Sequence, residues 1–377
     1  MDLSDTPEEA DFRARLREWL AAVLPGLPPQ PSPADWPGRR AYDLGWQRRL
    51  HDAGYADVHW DATPSVRLIF LEETEKAGAP YVGANFVGLL HAGPTIAAEG
   101  TPDQRARWLP PILRGEEVWC QGFSEPEAGS DLAALRTRAW RDGDSYVVTG
   151  SKIWTSHAEV ADWCELLART DPDAPKHRGI TWLALPMDAP GITVRPLRTL
   201  AGSAEFAEVF LDEVRVPVAN RVGDENDGWR VTMVTLSFER GTAFAGEVVA
   251  CRRVLGELAV EARRNGRWDD PALRRRLGRL HAEFRALWRL TLWNVSAAEA
   301  SGGVPGTGGS VFKLRYSHAR QELYDAAAEV LGPDSLDLDR PWTLDRLSSL
   351  AYTIAAGTSQ IQHNIIAERI LGLPKGR

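Results

Sequence analysis

Trp119-Cys120-Gln121-Gly122-Phe123-Ser124-Glu125-Pro126-Glu127-Ala128-Gly129-Ser130-Asp131 is the stretch on which the reading of this chain turns, because an aromatic strand runs straight into small residues, hydroxyls and a proline-restricted turn. Pro126 biases Glu125 toward an extended or turn conformation, Ala128 and Gly129 let backbone approach a ligand closely, and Ser124 and Ser130 offer hydroxyls to heteroatoms. Such a loop suits a flat polar ring. The same residues also read as an ordinary exit from a strand, so their meaning depends on what surrounds them.

Working outward, β-branched and aromatic residues begin to alternate after Gly115, and Asp142-Gly143 lies between 136–140 and 145–149 as a hairpin signal. Further strands are legible at 163–169, 180–186, 192–196 and 207–212, parted by Pro, Gly and Asp turns, which suggests a small barrel or sandwich. On the N-terminal side, Phe12, Leu16, Trp19, Leu20 and Val23 recur at helical spacing over 7–24. The proline-rich run 25–37 breaks that helix, and 42–53, 66–77 and 101–114 read as further helices. On the C-terminal side helical periodicity returns over 228–264, 271–300, 310–331, 341–356 and 359–372. The Gly-rich 302–309 reads as an interhelical loop, since no Gly-Lys-Ser/Thr follows it. The expected fold is α+β: an N-terminal helical domain over 1–117, a barrel-like β domain over 118–225 and a C-terminal helical bundle over 226–377.

With 377 residues the chain is long enough to bury a ligand site. A formal net charge of -8, with 25% charged and 44% hydrophobic residues, argues against nucleic-acid binding. Arg274-Arg275-Arg276 reads as a solvated helix face. Cys120, Cys164 and Cys251 are far apart and odd in number, which speaks against a disulfide framework and for a reduced, cytoplasmic setting. Met1-Asp2-Leu3-Ser4-Asp5 lacks a basic, apolar leader, and no run of apolar residues is long enough for a span, so no membrane association is expected. His91, His157, His318 and His363 are scattered without ligand spacing, and no metal site is expected.

Three further segments give the opening loop its context: Lys152-Ile153-Trp154-Thr155-Ser156, then Leu236-Ser237-Phe238-Glu239-Arg240-Gly241, and Ala356-Gly357-Thr358-Ser359-Gln360-Ile361-Gln362 running on to Ile370-Leu371-Gly372. In this order and spacing, and over nearly its whole length, the chain resembles an acyl-CoA dehydrogenase. It is similar to the bacterial branch that handles fatty-acid and steroid side-chain thioesters. The resemblance implies a bound FAD whose isoalloxazine lies between the β domain and the C-terminal helices. It assigns Phe123 and Ser124 to the flavin pyrimidine edge, Gly129 and Ser130 to a loop touching FAD and the thioester arm, Trp154 to the flavin face and Ser156 to N5. Thr358 and Gln360 match positions on the diphosphate or adenine side, while Ser359 with Gln362 reads as a capping box opening the last helix. Without the resemblance, Trp154 reads as a buried strand tryptophan and Ser156 as a turn serine.

Desaturating an acyl thioester requires a base over a weakly acidic Cα proton, donors for the enolate oxygen and a hydride acceptor. Many members of the family carry the base immediately before Gly-Thr of the last motif, but that position is Ala356, which takes no proton. Others carry it before an Arg on the first helix of the C-terminal bundle, and that residue is Glu239 before Arg240. Glu239 is the expected base, with Leu236, Phe238 and Phe244 as the apolar wall that would raise its pKa. By sequence alone it also reads as a surface glutamate paired to Arg240 or Arg252. Ser130, Arg240, Ala356 and Gly357 are expected on the substrate side, Arg240 as support for Glu239 or the loop carrying Ala356.

The chain departs from the family pattern at a shortened loop, Trp60-Asp61-Ala62-Thr63-Pro64-Ser65, at Ala207 where Asn is common, and at Glu127 where Gly is common. These departures bear on the acyl group and on whether its carrier is CoA or an acyl-carrier protein. The resemblance implies an electron-transfer flavoprotein as electron acceptor and a homodimer or homotetramer. The readings beside it are an oxygen-using flavoenzyme on the same fold, and a non-catalytic or half-site subunit of a hetero-oligomer.

Overall fold

The computed structural model describes residues 4–32, 34–239, 245–300 and 308–375, with side chains left aside at 237–239 and 298–300. Among the described residues five α-helices come first: α1 (Pro7–Val23), α2 (Trp36–Asp52), α3 (Pro64–Lys76), α4 (Gly93–Glu99) and α5 (Pro102–Leu113). The strands among the described residues follow: β1 (Trp119–Gly122), β2 (Arg138–Asp142), β3 (Ser145–Ser156), β4 (Trp163–Arg169), β5 (Ile180–Pro186), β6 (Ile192–Leu197), β7 (Phe206–Pro217) and β8 (Arg221–Val222). The chain then returns to helix in α6 (Gly228–Glu239), α7 (Ala245–Arg264), α8 (Pro271–Ala300), α9 (Gly308–Leu331), α10 (Pro341–Ser349) and α11 (Ser359–Ile365). The order of helices, strands and helices is the α+β fold expected. No helix among the described residues is long and apolar enough to cross a membrane.

Four of these five N-terminal helices, all but α4, start where a hydroxyl or carboxylate side chain caps them. Thr6 and Thr101 each form a capping box, with Glu9 and Gln104, and Pro7 and Pro102 stand where no N–H is needed. Thr63 accepts from Val66 N at the start of α3, so the short 60–65 connection ends in a cap followed by Pro64. Asp35 caps α2 by accepting from Gly38 N, and Pro37 lies inside its first turn. The proline-rich run therefore ends by launching a helix earlier than the periodicity suggests.

The described residues divide into two compact units, one of 1–27, 62–79 and 240–377 and the other of 28–61 and 80–239. The second holds the sheet, in the order β6-β7-β3-β2-β4-β5-β8 with β1 beside β4. The expected barrel or sandwich is thus one mixed sheet. Both of its faces are covered. Along β4, Cys164, Leu166 and Ala168 point into one core with Val148, Leu183, Val209 and Val214, while Leu167 joins Trp119, Trp182, Ile96 and Ile112 in another. Burial on both faces explains why β4 and β5 read as continuous apolar runs. The parallel register sets Trp119 against Trp163, whose rings stack at 5.7 Å, and Trp108 meets both edge-on. The β2–β3 hairpin pairs Asp142 with Ser145, so Gly143, at φ +60°, and Asp144 make the turn.

In the first unit, Leu273, Leu277, Leu280, Phe284 and Leu287 line one face of α8 and pack on Leu255, Leu258, Phe312 and Leu323. Buried among these helices, Tyr316 Oη donates to Glu247 and accepts from Arg320, which also pairs with Glu247. Helices α1 and α3 join through Arg13 to Glu72 and Glu73, and Arg17 to Glu73. The 341–356 helix expected from sequence ends at Ser349 and continues as a tighter turn over Leu350–Thr353. The 359–372 helix is α-helical to Ile365 and then widens to a π turn over Ile366–Ile370.

Candidate active site

In the unit that holds the sheet, β1 delivers the chain into a tight turn at 125–128, where Glu125 N donates to Ala128 O and Ala128 N to Glu125 O, each at 3.0 Å. This is the turn that Pro126 favours. Glu125 folds beneath it and accepts from Arg136 N at 2.6 Å, Thr137 N at 2.9 Å and Lys152 Nζ at 2.8 Å. Lys152 also donates to Phe123 O at 3.2 Å, and Ile153 N donates to Ser124 O at 2.9 Å. The loop and the 152–156 segment, separate in sequence, are clipped together.

The clip is buried: Lys152 is 1% exposed and Glu125 8%. Burial pushes the Glu125 carboxyl up, but the Lys152 ammonium and the N–H donors around it prevail and hold it below the usual carboxylate range. Sequence reading gave neither residue a role, although a lysine inside the strand, next to Ile153 and Trp154, was a signal that it needed a buried partner.

Just past the clip, β3 carries an extra residue. Lys152 pairs with Val209 and Thr155 with Ala207, so Ile153 and Trp154 together face Glu208 alone. Trp154 takes the left-handed conformation of such a bulge, φ +60°, and leaves its indole 58% exposed with its edge toward Phe206 at 6.0 Å. A buried strand tryptophan, the reading open from sequence alone, is overturned. Left-handed backbone costs a non-glycine residue about 1–2 kcal/mol. Trp154→Gly is therefore expected to be more stable than Trp154→Ala by about 1 kcal/mol in flavin-free protein. Chemical denaturation of the two variants checks this, and equal midpoints would refute a strained Trp154.

Ser124, half-buried, is tied through its carbonyl to Ile153 N, Ser156 is half-buried at the end of β3, and Gly129 and Ser130 are exposed on the loop. The hydroxyls of Ser124, Ser130 and Ser156 bond to no group among the described residues. A Cβ at Gly129 would meet nothing within 4 Å, so no neighbour in the chain dictates a glycine there. An exposed flat ring, unengaged hydroxyls and a glycine with open space about it are a fitting set for a flat heteroaromatic group. Behind β1, Gln121 Nε2 donates to Glu165 at 2.8 Å and sits 3.0 Å from His91 Nδ1, a buried polar group that sequence reading did not single out.

Glu239 is the last residue of α6. That helix is seated closely on β5, because a Cβ at Gly228 would come within 2.6 Å of Trp182 N. Leu236 is half-buried. Arg240 and Phe244, named from sequence, lie outside the described residues.

In the other unit, Ala356 and Gly357 form a left-handed pair, φ +51° and +84°, and lead into α11. The helix is capped by Thr358, whose hydroxyl accepts from Ile361 N at 3.2 Å, and not by Ser359 as the capping-box pattern suggested. Gln362 instead reaches back to Ala356 O at 3.2 Å and Gly357 O at 3.3 Å, which removes it from the box. Ser359 is buried within hydrogen-bond reach of His318, and Gln360 is exposed. The candidate residues thus fall into two sets, Phe123, Ser124, Gly129, Ser130, Trp154, Ser156 and Glu239 in one unit and Ala356, Gly357, Thr358 and Gln360 in the other.

Residues 6–116, 120–214 and 226–371 match the N-terminal, middle and C-terminal domain models of acyl-CoA dehydrogenase. The chain belongs to the acyl-CoA dehydrogenase family and is an FAD-dependent oxidoreductase acting on acyl-CoA. It is similar to acyl-CoA dehydrogenase IpdE1 of Mycobacterium tuberculosis, 39% identical across 97% of this chain and 98% of the relative. Acyl-CoA dehydrogenase FadE34 of the same organism is 40% identical across 97% of this chain and 51% of its own length. Among solved structures, the Tcur3481-Tcur3483 steroid ACAD matches with a TM-score of 0.86 and 29% identity over 100% of both chains. The ChsE4-ChsE5 complex from Mycobacterium tuberculosis matches with a TM-score of 0.82 and 32% identity, again over 100% of both.

Proposed function

We propose that the chain desaturates an acyl thioester between Cα and Cβ, with Glu239 as the base that takes the Cα proton. The observation that carries this reading is the clipped junction of loop and strand, where Lys152 and Ile153 hold Phe123, Ser124 and Glu125 beside the exposed Trp154. Phe123, Ser124, Gly129 and Ser130 would hold the flavin edge, Trp154 its face and Ser156 its N5 side, with Thr358 and Gln360 toward the diphosphate. Bound FAD supplies the hydride acceptor for Cβ. Ser130, Ala356, Gly357 and Arg240 would border the thioester, with Glu239 as the base for its Cα proton. Ala356 leaves its position without a carboxylate, which supports assigning the proton to α6. An electron-transfer flavoprotein takes the electrons onward.

The acyl group we infer is a steroid side chain or another bulky thioester, supported by the likeness to a structure titled steroid ACAD and by the short 60–65 connection. A second reading, a half-site subunit that needs a different partner chain, is favoured by likeness to the two-component assemblies. One experiment separates the two. The chain purified alone should carry flavin absorbance that bleaches anaerobically with a steroid-side-chain CoA thioester and is restored by an electron-transfer flavoprotein. A colourless protein that FAD does not reconstitute favours the second reading, and a stable flavin that no acyl-CoA bleaches overturns the first.

A further inference from the structure

Lys313 is 5% exposed in the middle of a helical bundle, and among the described residues no carboxylate pairs with it. Its Nζ donates to Gly357 O at 2.6 Å. An ammonium in such a place costs free energy that a methionine or leucine of similar volume would avoid, so its presence there points to work for the donor. Burial lowers its pKa to about 8.

Lys313 does not act alone along α9. Four residues on, Ser317 Oγ shares its one proton between Lys313 O at 2.7 Å and Tyr352 O at 2.8 Å, and four further, Gln321 Nε2 donates to Ser349 O at 3.2 Å and reaches Thr353 Oγ1 at 3.3 Å. Spacing by four puts the three on one helix face, where they form a rail of donors. The segment they hold runs from the end of α10, through the Leu350–Thr353 turn, to the start of α11, and the rail reaches its carbonyls at Ser349, Tyr352 and Gly357. At its far end lies the left-handed Ala356–Gly357 pair, and Ala356 pays the steric cost that a glycine would not. Gln362 holds the same two carbonyls from the α11 side. A Cβ at Gly357 would come within 2.8 Å of Gln362 Nε2, so the turn is tight as well as strained.

We propose that Lys313 is the positioning residue that fixes the Ala356–Gly357 turn for the acyl-thioester reaction, as the terminal donor of the Lys313–Ser317–Gln321 rail. The proposal rests on the reading that Ala356 and Gly357 border the substrate. Losing the ammonium leaves Gly357 O with only the longer bond from Gln362 Nε2, and the turn relaxes toward right-handed backbone.

The test compares FAD-loaded wild type with Lys313→Met, which keeps the length and removes the donor, and with Lys313→Arg, which keeps a cationic donor. Amide hydrogen exchange is followed over 354–362, and kcat and KM are measured with an acyl-CoA that bleaches the wild type. Lys313→Met is expected to exchange at least about ten-fold faster over 354–362 and to lose at least about ten-fold in kcat/KM, with Lys313→Arg recovering part of both. Should Lys313→Met not fold, Lys313→Gln, a shorter neutral donor, is judged by the same two readouts. Unchanged exchange over 354–362, or unchanged kcat/KM despite faster exchange, overturns the proposal. The assignment of Glu239 fails separately, through a Glu239→Gln protein that still turns over with Lys313 intact.

Discussion

Glu239→Gln should bind FAD as the wild type does and lose thioester-driven flavin bleaching by about a thousand-fold, the scale on which a positioned general base contributes. The amide keeps the shape of the carboxylate and removes only its capacity to take a proton, so retained flavin absorbance certifies the site while the rate reports the base. Glu239→Asp offers an intermediate. Its carboxylate is withdrawn by one methylene, and a misplacement of about 1 Å costs on the order of a hundred-fold. Stopped-flow reduction under anaerobic conditions measures all three proteins. A Glu239→Gln enzyme that bleaches at the wild-type rate would return the glutamate to the surface pair with Arg240 or Arg252 that the sequence also allows.

The second large effect is on stability. Lys152→Met should destabilise the sheet-bearing unit by about 3–5 kcal/mol, because it leaves the Glu125 carboxylate buried without its counter-ion. For a unit of this size that corresponds to a fall in melting temperature of roughly 6–20 °C. Glu125→Leu should cost more, since it strands the ammonium and also orphans the N–H groups of Arg136 and Thr137. The sign of the pH dependence follows from the lowered pKa of Glu125: its stabilisation is complete above the ordinary carboxylate value and is lost as pH falls through the lowered one. The gap between wild type and Lys152→Met therefore narrows in acid. Thermal unfolding across pH, with bound flavin quantified in parallel, checks both statements. A Lys152→Met protein as stable as the wild type would remove the clip from the account of the site.

How much of this could be read in advance depended on whether the information was local. Strands β4 and β5 have the boundaries read from sequence because two buried faces produce unbroken apolar runs closed by Asp, Gly and Pro. Helix α8 was legible for the opposite reason, a single apolar face at spacings of three and four. The helical stretch over 83–99 was not read at all. It is buried on several sides, so it has no amphipathic period, and its Gly88–Ala92 portion is a π turn just before Pro94. The order of the motifs was enough to recognise the family. What sequence could not carry was pairing at a distance: that Lys152 answers Glu125, that Lys313 answers Gly357, and that a bulge turns Trp154 outward. The capping pattern at Ser359 and Gln362 misled for a related reason, since the glutamine is drawn to carbonyls of the preceding turn.

The division of the chain into units has a consequence for how the protein comes off the ribosome. Residues 1–27 and 62–79 belong with 240–377, so α1 and α3 are synthesised early and find most of their unit only after the whole sheet has been made. At ordinary rates of synthesis, roughly 160 residues of intervening chain mean a wait on the order of ten to thirty seconds. Throughout that wait Leu16 and Leu20 of α1 and Leu68 and Leu71 of α3, all buried at the end, have no bundle to enter. Residues 28–61 and 80–239 can meanwhile collapse around their own two cores. Nascent chains are thus expected to gain in yield from a holding chaperone during that interval, a gain that co-expression measures.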